Sequence, residues 1–72
     1  MKIKTNNQTK NVYAISLLKE PYLNGNYQYH LLATTDTKLE FIATYDNKCK
    51  ANRVFRDIKR LIDNQDSTVY QI

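Results

Sequence analysis

Along this chain the apolar residues change period once. Up to Tyr45 they recur at every second position, the pattern of strands; beyond Asn47 they recur at three and four, the pattern of a helix. The opening "MKIKT" has Ile3 as its only apolar side chain beyond Met1 and reads as a short strand. "NNQTKN" is a polar connector of turn-forming residues. In "NVYAISLL", Tyr13, Ile15 and Leu17 share one face, and Val12, Ala14, Ser16 and Leu18 the other. Both faces are mostly apolar, which reads as a central strand; either set is eligible for the core, depending on a one-residue choice of register.

The strongest turn signal is Asn24-Gly25, which favours a type I′ hairpin because both central residues must take positive φ. Pro21, without a backbone N–H, marks a strand end, an edge or a bulge. In "NYQYHLLA", Tyr27, Tyr29, Leu31 and Ala33 oppose Gln28, His30 and Leu32; in "KLEFIATY", Leu39, Phe41, Ala43 and Tyr45 oppose Glu40, Ile42 and Thr44. A loop at Thr35-Asp36-Thr37 sets Leu31 against Phe41 and Ala33 against Leu39, so that the two apolar faces coincide. Asp46 or Asn47 caps the following helix. Its stripe is Ala51, Val54, Phe55, Ile58, Leu61 and Ile62, which predicts a helix over about 47–64. "DNQDST" ends it, and "TVYQI" returns as a short edge strand or frays. The fold class expected is α+β: a three- or four-stranded antiparallel β-meander with one amphipathic C-terminal helix on one sheet face, residues 1–72 forming a single small domain. The other sheet face stays wet or finds a partner.

Size and charge narrow the functions. A chain of 72 residues buries only about 60% of its unfolded surface, so its core is thin. Small domains compensate with disulfides, metals or partner chains. Cys49 is the only cysteine, and with His30 the only histidine it cannot complete a four-ligand zinc site. Tight packing and self-association remain, and a homodimer is one expected state. No stretch approaches the ~18 consecutive apolar residues of a membrane helix. The first twenty residues do not have the form of a signal peptide, and the reading is a cytoplasmic protein with no membrane, metal or cofactor partner. Eleven Lys and Arg against seven Asp and Glu give a net charge of +4, which bears on solubility and attraction to anions rather than on fold.

Two groups of residues are candidates for binding. Lys48, Lys50, Arg53, Arg56, Lys59 and Arg60 place six positive charges against one negative, Asp57, between Asn47 and Ile62. Such a face can track a phosphate backbone; equally it is a solvated face, with Arg53 paired to Asp57 and Lys59 to Asp63 one turn on. Arg56 and Arg60 stand four apart with like charge, which favours an anionic ligand. Tyr27 and Tyr29, two apart on one strand, are either a platform for unpaired bases, core rings with hydroxyls reaching water, or, if their face lies away from the helix, a partner interface. His30 has no evident partner, Cys49 lacks a base and an oxyanion site, and the acidic residues are scattered singly. No catalytic residue is assigned, and the chain reads as a non-enzyme.

Two resemblances add to this. "MKIKTNNQTKNV" and "FIATYDNKCKANRVFRDIKRLI" are similar to a group of small uncharacterised proteins of Firmicutes, their phages and mobile elements, through Ile3, Thr5, Tyr45, Ala51, Val54 and Ile58. Asn7 and Ala43 depart from that pattern, which has Asp and Gly there. This resemblance implies a mobile-element setting and no activity. The meander followed by a helix, with "NGNYQYHLL" and "YDNKCKANRVF", resembles the arm-type DNA-binding domain of phage integrases, in which the sheet enters the major groove. That resemblance implies DNA binding by fold analogy alone, and this chain has no integrase catalytic domain. Together these readings give an accessory protein acting through protein–protein interaction, inhibition of a host system being one form of it. The alternative is a nucleic-acid-binding module using the basic helix face.

Overall fold

The computed structural model describes residues 1–5 and 8–72. The turn expected over Asn6 and Asn7, and with it the Asn7 position of the first resemblance, lies outside the described residues. The elements are β1 (Lys2–Lys4), β2 (Thr9–Asn11), β3 (Ala14–Pro21), a single 3-10 turn (Leu23–Gly25), β4 (Tyr27–Thr34), β5 (Leu39–Tyr45), α1 (Lys48–Asp63) and β6 (Val69–Gln71). The result is an α+β fold in which every strand but the last precedes the helix.

The strands form two three-stranded sheets rather than one, in the orders β2-β1-β6 and β3-β4-β5. Part of the expected polar connector is therefore strand β2, antiparallel to β1. "TVYQI" supplies β6, which lies parallel to β1, with Ile3 opposite Tyr70. The chain passes between the sheets at one peptide: Val12 N–H donates to Met1 in the small sheet, and Tyr13 N–H donates to Thr34 in the large one. That bend resolves the register choice in a mixed way. Val12 is buried before β3 starts, Ile15 and Leu17 point inward within it, and Tyr13 and Leu18 are exposed. The expectation of a central strand is also corrected. β3 is an edge strand, and β4 lies between β3 and β5. Apolar residues on both faces of a strand require cover above and below; they do not require a neighbour on each side.

The first hairpin turns as expected. Asn24 has φ 59° and Gly25 φ 74°, and Asn26 N–H donates to the Leu23 carbonyl. The second hairpin does not follow the expected register. Leu31 pairs with Ala43, but Leu32 pairs with Phe41, Ala33 with Glu40 and Thr34 with Leu39. A bulge at Ile42 adds one residue to β5 and changes its phase. Ala43 and Tyr45 face inward, while Leu39 and Phe41 turn out.

α1 is capped by Asn47, whose side chain accepts from Lys50 N–H at 3.1 Å. At its other end Gln65 takes φ 53°, Gln65 N–H donates to Ile62 and Asp66 N–H to Leu61. This is a Schellman ending with glutamine where glycine is usual. The helix lies across β3, β4 and β5. Ala51 and Ile58 are fully buried, and Val54, Phe55 and Ile62 pack beside them. Both sheets and the helix meet in one core of Ile3, Val12, Leu31, Ala33 and Ile58. A Lys10–Glu40 ion pair joins the small sheet to the start of β5. The inner face of the meander is thus covered twice, by α1 and by the small sheet. Among the described residues, no helix is long and apolar enough to cross a membrane.

Candidate functional site

Among the described residues, no element lies over the outer face of the meander. Cross-strand pairing lays its side chains in rows: Ala14, Thr34 and Leu39; then Ser16, Leu32 and Phe41; then Leu18, His30 and Thr44. Leu18 is 44% exposed, Leu39 59% and Phe41 61%. None of these nine positions is Lys or Arg. On a protein of charge +4, the cations are gathered elsewhere and this face is left neutral and apolar.

Its central polar group is already satisfied. His30 Nδ1 shares a hydrogen bond with Thr44 Oγ1 at 2.9 Å. Its Nε2 lies 3.3 Å from Glu20 Oε2, and the ring meets Phe41 edge-on at 5.3 Å between centroids. Strand pairing brings Glu20 and Thr44 to a histidine that has no evident partner in the sequence. The order hydroxyl–imidazole–carboxylate is also that of a hydrolytic triad. Here it lies on the open face of the three-stranded sheet, with Glu20 on one edge strand, His30 on the middle strand and Thr44 on the other edge. What the cluster does physically is let an imidazole sit among apolar side chains without an unpaired nitrogen.

The bulge makes this face. An unbroken alternation would send Leu39 and Phe41 into the core and Glu40 to solvent. The extra residue reverses both, putting Glu40 against Lys10 and two large apolar side chains on the surface. Bulges re-aim side chains in this way near sites of contact. The run Phe41-Ile42-Ala43, three apolar residues in succession within an alternating strand, is the signal from which it could have been found.

The six helix cations are Lys48, Lys50, Arg53, Arg56, Lys59 and Arg60, and all are exposed. The ion pairs expected from Arg53 to Asp57 and from Lys59 to Asp63 are not formed, and among the described residues none of the six is in an ion pair. Lys50 instead lies over the Tyr45 ring at 5.5 Å and Lys59 over Phe55 at 5.9 Å. Their stems cover the aromatic edge of the core while the charges stay in water.

The two candidate tyrosines separate. Tyr29 is 8% exposed and belongs to the buried set, so it offers a partner almost no surface. Its strand position sets it beside Tyr45, on the face that the helix covers. Tyr27, at the open end of the hairpin, is 43% exposed, and Lys19 Nζ stands 4.0 Å over its ring. With Tyr22 and Leu23 it forms a second, smaller exposed apolar cluster at the hairpin tip. Burial pushes the Tyr45 and Tyr70 hydroxyls above the ordinary tyrosine range. Cys49 is a free, exposed thiol in the first turn of α1. Among the described residues, no three His, Cys, Asp or Glu side chains gather to hold a metal.

No family model, curated protein or solved structure matches this chain. The functional reading rests on the geometry above.

Proposed function

We propose that this is a non-enzymatic accessory protein that works by protein–protein contact through the outer face of the meander, with Leu18, Leu32, Leu39 and Phe41 as its apolar contacts. The supporting observation is the outward placement of Leu39 and Phe41 by the β5 bulge, on a face without a cation. A sequence that spends two large apolar side chains on solvent, across from a histidine whose nitrogens are both engaged, has the make-up of an interface centre. Glu20 and Gln28 form its polar rim. A cytoplasmic setting in a phage or mobile element accords with the resemblance carried by Ile3, Thr5, Tyr45, Ala51, Val54 and Ile58.

The test is a photo-reactive phenylalanine analogue placed at Leu39 and, separately, at Arg56 on the opposite side of the molecule, irradiated in extracts of the source cell. Adducts from the Leu39 probe alone are expected. Equal adducts from both positions, or none from Leu39, would remove the sheet face as the contact surface.

A second reading has its own observation. Six exposed helix cations that have no acid partner among the described residues suit a nucleic-acid backbone. Fluorescence anisotropy with labelled single- and double-stranded DNA tests it: binding should weaken with salt at a slope set by the phosphates neutralised. Arg56→Glu with Arg60→Glu should abolish it while the fold persists. Salt-independent binding, or binding untouched by the double reversal, would end this reading.

A further inference from the structure

We infer that the occupant of the outer sheet face is a second copy of this chain, packed sheet against sheet. The inference rests on the reading of that face as a contact surface and goes on to name the partner.

Three observations point to a second copy. The first is charge. Every outward position in the three rows is uncharged or histidine, and the six helix cations are on the opposite side of the meander. Two copies of a +4 protein repel in most orientations. Face to face, the three rows bring no Lys, Arg, Asp or Glu together, Glu20 standing at the rim beside His30, and the two basic helices are held at opposite ends of the pair. The second is shape. The sheet is open, three-stranded and antiparallel, and two identical right-twisted sheets are self-complementary when packed about 10 Å apart with strands near −30°. Leu32 on the middle strand lies at the centre of such a contact, with Leu18 on one flank and Phe41 on the other. The third is area. Three strands at about 4.8 Å spacing and seven residues at about 3.3 Å make a face of roughly 14 by 23 Å. Two such faces have a flat area of about 640 Å², which side-chain relief raises toward the ~1,000 Å² at the low end for a specific interface.

The dimer also answers the sequence of β3. Ile15 and Leu17 face the core, while Ala14 and Leu18 face out. A strand apolar on both sides is built for cover on both sides, and one chain provides it on one side only. Burying His30 leaves no unpaired nitrogen, because Thr44 and Glu20 already engage both.

Sedimentation equilibrium from about 5 to about 500 micromolar tests the inference, a range that brackets the affinity of an interface near the lower size limit. The wild type is expected to move from 8.5 kDa toward twice that mass. Leu18→Arg with Phe41→Arg should stay at the single mass throughout, a weakening of roughly 100-fold or more, with an unchanged circular dichroism spectrum. Should that variant fail to fold, concentration-dependent amide shifts of the wild type replace it, and they should fall on β3, β4 and β5 rather than on α1. A wild type of single mass at every concentration overturns the inference. So does a dimer that survives both substitutions, or one whose shifts fall on α1. The parent reading fails separately: the Leu39 cross-linker would then yield no adduct at all, whereas an adduct to a different protein would keep the face and remove the second copy.

Discussion

The meander has two faces made by the same three strands, and they are treated oppositely. On the inner face Leu31 and Ala33 have no exposure, under a helix and a second sheet. On the outer face, one residue away along the same strands, Leu18, Leu39 and Phe41 are open to solvent. Strand alternation alone cannot say which face a chain will cover, because it only sorts side chains into two sets. The choice is made by what the rest of the chain can lay on the sheet. Here α1, β1, β2 and β6 all go to one side, and the bulge in β5 moves an acid to that side and two large apolar residues to the other.

The largest test of this contrast is a pair of truncations. Leu31→Ala, at a fully buried site, should destabilise by about 2–5 kcal/mol, a large part of what so small a domain has. Phe41→Ala, measured by denaturant unfolding at low micromolar concentration, should change stability by about 0.5 kcal/mol or less. Comparable losses at both sites would mean that the outer face is covered within the monomer.

Next in size is the seam between the two inner layers. The Lys10 ammonium holds the Glu40 carboxyl below the ordinary glutamate range. A depressed folded value contributes stability that is complete above the unfolded value of about 4.3 and is lost as pH falls through the folded one. Lys10→Met should therefore flatten the acid limb of a Tm-versus-pH curve below about pH 5 and lower the plateau at neutral pH. Part of the limb should persist, because hydrogen bonds from Thr68 also lower Asp66. An unaltered limb would show that the ion pair does not join the layers in solution.

Much of this covered side was legible in the sequence. The helical stripe, a cap at Asp46 or Asn47 and the Asn24-Gly25 turn follow from local rules; the cap is Asn47, and of the stripe all but Leu61 join the core. What could not be read depends on residues far apart. Lys10 meets Glu40 across thirty positions, and that partnership accompanies the reversal of the β5 alternation that hides the outer patch. The alternating frame Leu39, Phe41, Ala43, Tyr45 is the longer one on paper, yet only its second half points inward. The division into two sheets was equally hidden, because β1, β2 and β6 have only three residues each. The basic helix face was legible as composition, but that it has no acid partner among the described residues emerged only from the folded side chains.

Loosening the helix, which lies over the inner face, should affect that face and spare the other. Asn47→Ala removes the side chain that accepts from Lys50 N–H and should cost about 1 kcal/mol. Amide exchange should quicken in α1 and on β4, while the mass distribution in sedimentation stays that of the wild type. A changed distribution would mean that the helix end takes part in self-association.

The smallest effect should have the opposite sign. Gln65 ends α1 in the left-handed region at φ 53°, where a side chain with a Cβ is strained by about 1–2 kcal/mol and glycine is not. Gln65→Gly relieves that strain but gives the unfolded chain more freedom to lose, so the net gain should be on the order of 0.5 kcal/mol. The Schellman bonds from Gln65 and Asp66 to Ile62 and Leu61 use backbone atoms and should persist. Denaturant unfolding should give a higher midpoint with an unchanged slope, again without effect on the outer face. A lower midpoint would mean that the Gln65 side chain, beyond its backbone, helps hold the helix end against the core.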